Sequence, residues 1–392
     1  MRILLAVSRF PWPPRRGDQL RADQLMRFLA SRHQITLLAP EPPAGVVPPA
    51  DVPCAIELYR PARPAALPFS VVRAGWRGLP FQNGLFGTTH LAARLAQLAP
   101  EADLTILQLA RLEGAVPALA GRPWVVDFID SLSLNFERRA EVDRPWLRPL
   151  LRLEARRLLA AEARMLAAAQ AGWLVCERDR RHLVERLAGR LPEAARKLGV
   201  VGLAVPARPR VPKERTEPRV AFTGNLGYFV NDDAARWLLQ EVWPRLVQRR
   251  PEAKLLVAGA RPGPRLRRLA AQSGAELVAS PPDLAALLER VQIAVAPMRC
   301  GSGLPIKVLE AWAHGLPVVA SPWAAAGTTG KPGQDLLVAE GAETWVEALE
   351  LLLRDPDRRH QLAIAGHQRL AADYSAEVVQ ERLLAAVEGV TV

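Results

Sequence analysis

Cysteine, long apolar runs and side-chain motifs for cofactors are what this chain has little of. Its three cysteines, Cys54, Cys176 and Cys300, form neither a metal-ligand spacing nor a disulfide framework. No apolar run approaches the about 20 residues of a membrane-spanning helix, and mean hydropathy is near zero at +0.02. The opening Met-Arg-Ile-Leu-Leu-Ala-Val-Ser-Arg has too short an apolar stretch for a signal peptide, so a cytoplasmic protein is expected. The first loop lacks G-x-G-x-x-G, which argues against a dinucleotide-binding dehydrogenase. No metal site and no cofactor is expected. The net charge of +12 comes almost wholly from arginine, with no nucleic-acid-binding motif and no interleaved aromatics, so no nucleic-acid partner is expected. Codon bias and attraction to an anionic membrane surface compete to explain that charge.

A chain of 392 residues, 49% hydrophobic, suffices for two ordinary cores. One stretch organises it, from Pro297 to Ser321. An apolar strand (293–296) runs into the loop Cys300-Gly301-Ser302-Gly303-Leu304-Pro305, then a helix, a glycine stop at Gly315 and a second apolar strand (317–320). A glycine loop entering a helix leaves backbone N–H groups beside the positive end of the helix, a setting for phosphate. Lys307 is a cation in the first helical turn, where the dipole disfavours one, which suggests an anionic partner. Glu310, three residues on, shares nearly the same face and can accept hydrogen bonds from vicinal hydroxyls. Phosphate donors, a lysine and a carboxylate within ten residues suit a sugar nucleotide.

Gly301-Ser302-Gly303, Lys307, Glu310 and the run Ala-His-Gly-Leu-Pro-Val-Val resemble the donor-site motif of family-4-type retaining glycosyltransferases of GT-B fold, in a branch that includes exopolysaccharide sugar transferases. The resemblance is best from Arg219 to Tyr374. Most of that family carries a second Glu eight positions before the one matched by Glu310; here Ser302 stands there, and the lysine branch shares that departure. The resemblance implies an α/β protein with two Rossmann-like doubly wound domains facing across a cleft. The expected organisation is an acceptor-side domain over 1–200, a linker over 201–218, a donor domain over 219–374, and a C-terminal helix within 375–392 crossing back to the first domain.

The strands and glycine turns place the remaining candidates. Arg2 to Val7 reads as a first buried strand, a Pro- and Arg-rich loop leads to Gly17 and a helix, and His33 to Ala39 reads as the next strand, a right-handed βαβ opening. Gly17 matches the family glycine that approaches the donor phosphate or acceptor, and Arg21 is one turn further in. Asp127 and Asp130 close the strand that begins at Trp124, and strand ends face the ligand crevice; by resemblance they border the reacting sugar, with a helix cap as the alternative for Asp130. Gly224 and Asn225 follow the strand that opens the donor domain, Asn225 standing where relatives often place a cation, and Asn231-Asp232-Asp233 reads as a helix cap. The catalytic candidates are thus Asp127, Asp130 and Lys307. The donor-binding candidates are Gly17, Gly224, Asn225, Gly301, Ser302, Gly303, Lys307 and Glu310.

The implied reaction moves a sugar from a nucleotide-sugar donor to a glycan or lipid-linked acceptor, with retention and without metal. The alternatives are a non-catalytic GT-B-like partner subunit and a sugar-nucleotide 2-epimerase. Two stretches bear on the membrane. One is the apolar and arginine-edged segment from Pro68 to Phe86, with Trp76, Phe81 and Phe86. The other is a helix over 147–169 whose Arg148, Arg152 and Arg156 form a stripe. The first also fits a partly buried helix with a loop, and the second an ordinary solvated charge face. An anionic membrane, with attachment to the inner face of the plasma membrane, is the expectation these stretches support.

Overall fold

Runs of Val, Ile, Leu and Ala form the strands of two all-parallel sheets, and such runs are nearly continuous because helices cover both faces. The computed structural model describes residues 1–61, 67–86, 88–208 and 217–391. The expected linker 201–218 and C-terminal segment 375–392 therefore lie outside the described residues at 209–216 and at 392. The chain divides into two units. The first is Met1–Leu203 with Ser302–Leu304 and Val379–Val392; the second is Ala204–Gly301 with Pro305–Val378.

The first sheet has the order β3-β2-β1-β4-β5-β6-β7. Its strands are β1 (Arg2–Ala6), β2 (Gln34–Pro40), β3 (Ala55–Tyr59), β4 (Leu104–Gln108), β5 (Trp124–Ile129), β6 (Gly172–Leu174) and β7 (Leu198–Val200). Alternate residues feed opposite faces. Ile3 and Leu5 pack with Leu25, Met26 and Leu29 of the helix Gly17–Leu29, and with Leu383, Leu384 and Val387 of the helix Ala376–Thr391. Leu4 and Ala6 pack with Leu91 and Leu95 of the helix Thr89–Leu98 and with Leu158 and Leu159 of the helix Arg148–Ala168.

The second sheet has the order β10-β9-β8-β11-β12-β13. It contains β8 (Arg219–Thr223), β9 (Lys254–Gly259), β10 (Glu276–Ala279), β11 (Ile293–Ala296), β12 (Val318–Ala320) and β13 (Leu337–Val338). Numbered within each unit, the first six strands of both sheets run 3-2-1-4-5-6. The winding reverses between the first and fourth strands, and ligand crevices open at the carboxyl ends beside that point. Those positions are β1/β4 in the first unit and β8/β11 in the second.

The strand β6 ends at Leu174, and Glu177 already starts the helix Glu177–Leu187. One local expectation is corrected. Asn231 is not a cap: its helix begins at Phe229, so Asn231 lies in the first turn. The segment from Pro68 to Phe86 forms two helices, Leu67–Trp76 and Phe81–Phe86.

Candidate active site

In the second unit β8 and β11 pair directly, Val220 opposite Ile293 and Ala221 opposite Ala294, so their carboxyl ends emerge together. Two glycines set the space there. A Cβ at Gly259 would lie 1.7 Å from the Gly224 carbonyl oxygen, which makes the end of β9 a close backbone approach to the turn after β8. Gly301 has φ +106°, and a Cβ there would meet Val230 Cγ1 at 2.9 Å.

The loop enters the helix Ile306–Ala313, whose cap residue Pro305 offers its first-turn amides no side chain. Lys307 is half-buried in that first turn. Its Nζ donates to Asn231 Oδ1 at 2.6 Å, lies 3.3 Å from Met298 Sδ and sits 4.3 Å above the Phe222 ring. Asn231 Nδ2 in turn donates to the Asn225 carbonyl at 3.0 Å. The ammonium is therefore fixed against the glycine turn by partners that carry no charge. Burial pushes Lys307 down to about 7, with Glu310 acting weakly in the other direction.

Glu310 is half-buried and no hydrogen-bond donor among the described residues reaches it. Burial raises its carboxyl above the ordinary range, with Lys307 offsetting part of the effect. The two groups do not close into a salt bridge, and burial dominates both shifts. A lysine and a carboxylate on one helix face, each destabilised in its charged form and each with bonding capacity left over, are the candidate site for a ligand.

Gly224 and Asn225 shape the neighbouring turn, with Asn225 Oδ1 accepting from Gly227 N at 3.2 Å. Sequence reasoning missed Arg299, which follows β11 and holds buried Asp233 through two bonds, Nη2 to Oδ1 at 2.6 Å and Nε to Oδ2 at 3.0 Å. Its only sequence signal was its place just past a strand end.

The other candidates belong to the first unit. Asp127 is fully buried within β5, and both its oxygens accept from Arg21, Nε and Nη2 each at 3.1 Å. Arg21 is equally buried and also donates to the Gly202 carbonyl at 2.6 Å. The pair fastens the helix Gly17–Leu29 to the sheet. Gly17 begins that helix.

Asp130 lies just past Ile129, a β-branched residue at φ +63°, next to the register shift between β5 and β6. It accepts from Ser302 Oγ, to which Asn135 Nδ2 also donates at 3.0 Å. Burial, with Asp179 adding repulsion, pushes Asp130 up to about 6. The adjacent helix is capped by Ser131, not by Asp130. Behind it the fully buried Glu162 accepts from Ser133 Oγ at 2.5 Å and is pushed up to about 8 by burial. The Gly303 N–H, expected as a phosphate donor, is already given to Asp179 Oδ2 at 2.8 Å, and the Gly303 carbonyl accepts from Arg178 at 2.8 Å.

Residues 217–355 match the family model described as Glycosyl transferases group 1. The sequence is 34% identical over 158 residues to the GDP-mannose-dependent monoacylated alpha-(1-6)-phosphatidylinositol monomannoside mannosyltransferase of Corynebacterium glutamicum. That match covers 37% of this chain and 41% of the relative, so the chain spans about two-fifths of the length of the curated relative it matches. Sucrose-phosphate synthase of Thermosynechococcus elongatus superposes with a TM-score of 0.75 over 99% of this chain and 98% of that one, at 16% identity. HepE of Anabaena in complex with UDP gives 0.69 over 99% of both chains at 14% identity. The UDP-forming alpha,alpha-trehalose-phosphate synthase of Burkholderia xenovorans gives 0.67 over 100% and 99%, at 13% identity. The chain has the GT-B fold. At these identities the likeness concerns architecture, and the GT-B chain's chemistry rests on its own residues and on the matched segment.

Proposed function

We propose that this GT-B chain is a glycosyltransferase that moves a sugar from a nucleoside-diphosphate sugar to a glycan or lipid-linked acceptor with retention of configuration. The observation that carries the reading is the Lys307/Glu310 pair beside the β8/β11 switch point, inside the segment that matches group 1 glycosyl transferases. Glu310 accepts hydrogen bonds from the ribose hydroxyls. Lys307 faces the diphosphate, and its ammonium, rather than a divalent cation, meets the charge that develops as the sugar departs. The bond from the anomeric carbon to the phosphate oxygen breaks while the acceptor oxygen bonds that carbon from the same face, and the acceptor proton passes to the departing phosphate. In this reading Asp130 borders the transferred sugar and Asp127 is structural. A lipid-linked acceptor brings the protein to the cytoplasmic face of a membrane.

Thermal shift with a panel of nucleoside diphosphates tests the donor half. One base is expected to raise the Tm, and Lys307→Ala to abolish that rise. Transfer of label from the corresponding sugar nucleotide to a membrane extract tests the rest. A protein that no nucleoside diphosphate stabilises would overturn the reading.

A further inference from the structure

The helix Leu67–Trp76 carries its large apolar side chains outward. Phe69, Val72 and Trp76 stand at i, i+3 and i+7, a single helical stripe, and are 72%, 56% and 89% exposed. Of this helix only Ala74 is buried. The segment is held from behind. Gly75 O accepts from Arg157 Nη2 at 2.9 Å, and the amides of Phe81 and Gln82 donate to Glu154 at 2.9 and 3.2 Å. Glu154 and Arg157 belong to the helix Arg148–Ala168, where Leu150 and Leu153, within a turn of those contacts, are exposed as well.

The exposed charge on the helices Leu67–Trp76 and Arg148–Ala168 has one sign. No Asp or Glu occurs from Leu58 to Pro100, nor from Arg144 to Leu153. Exposed Arg73 and Arg77 flank Trp76, and exposed Arg152 and Arg156 lie on the neighbouring helix. Phe81 and Phe86, read from sequence as part of the same outward segment, are not in it. Arg157 lies 4.9 Å over the Phe81 ring, and Arg9 and Arg111 lie 5.0 and 4.4 Å over Phe86. The surface is narrower than the sequence suggested, and more uniform.

We infer that Leu67–Trp76 docks the protein on an anionic lipid bilayer, with Phe69, Val72 and Trp76 entering the headgroup layer and the four arginines facing lipid phosphates. A bilayer supplies an apolar layer and a negative surface at adjacent depths, which is the pairing this face presents. Docking does not depend on the transfer chemistry, so either can fail alone.

Vesicle flotation of the full chain is the test, with phosphatidylcholine alone and with about a third phosphatidylglycerol. The protein is expected to float only with the anionic vesicles, and less as salt rises. Arg73→Gln with Arg77→Gln is expected to lower binding about thirtyfold, at about fivefold for each charge removed. Phe69→Ser with Trp76→Ser, both solvent-exposed, is expected to abolish flotation while leaving the Tm and nucleotide-induced stabilisation unchanged. Equal binding to both vesicles, binding that survives all four substitutions, or a wild-type dimer that these substitutions dissolve without any vesicle binding would each overturn the inference.

Discussion

The Asn231 side chain divides its two ends between Lys307 and the glycine turn: Oδ1 accepts from Nζ at 2.6 Å while Nδ2 donates to the Asn225 carbonyl at 3.0 Å. The amide thus ties the only cation on the Ile306–Ala313 helix to the backbone that follows β8. Burial makes Lys307 easy to deprotonate, and these neutral partners do not offset it.

That feature sets a pH dependence. Lys307 is depressed from 10.5 to about 7, so below pH 7 it is already charged and binds a diphosphate without taking up a proton. Above pH 7 binding must carry a proton in, and nucleotide affinity is expected to fall by up to about tenfold per pH unit. Asn231→Asp places a charge beside the ammonium and is expected to move this fall to higher pH. Titration calorimetry in buffers of different ionisation enthalpy reads the proton directly; no proton uptake at pH 8 would remove Lys307 from the phosphate.

Glu310→Gln is expected to weaken nucleotide binding by about 1.5–3 kcal/mol through loss of charge-assisted bonds. Folding stability should hold or rise, since the carboxylate is raised by burial and no donor among the described residues reaches it. Nucleotide titration alongside a urea melt separates the two quantities. Unchanged affinity would take Glu310 out of the nucleotide site.

For Arg21 and Asp127 the expectation is the reverse. Removing either partner leaves an unpaired charge in the core, and Asp127→Ala is expected to cost roughly 3–5 kcal/mol of stability. Replacing both with apolar residues should recover much of it. The folded fraction of the single variant should bind nucleotide as well as the wild type does, which a urea melt and a saturation assay check together.

Glu162 gives a second pH signature. Its carboxyl is ordinary, near 4.5, in the unfolded chain and pushed to about 8 when folded. Between those values the folded state binds the extra proton, so its contribution to stability is present at low pH and declines as pH rises towards 8. Urea midpoints measured from pH 5 to pH 8 should fall less steeply in Glu162→Gln than in the wild type.

The sheets and the glycine-to-helix stretch were legible because strand runs, glycines and helix starts are local signals. Glu276–Ala279 and Leu198–Val200 were missed because a few residues ending in Ala or broken by Gly give no period to read. Asn231-Asp232-Asp233 has the composition of a cap, yet the helix starts earlier, and tertiary contact turns Asn231 towards Lys307. Asp127 looked like a strand-end carboxylate; its partner Arg21 is 106 residues away, a distance no local pattern spans. The commitment of the Gly303 amide to Asp179, 124 residues apart, was hidden for the same reason.

The first unit is not finished by its own stretch of sequence. Leu383, Leu384 and Val387 complete the apolar layer formed by Ile3, Leu5, Leu25 and Met26. A ribosome that has released Met1–Leu203 must still make the second unit before those side chains exist. At about 5–20 residues per second that interval lasts on the order of ten to forty seconds. During it part of one side of the nascent sheet is bare, which makes this half of the protein a client for chaperones, and fragments ending before Val379 aggregation-prone however well the rest of their sequence is preserved.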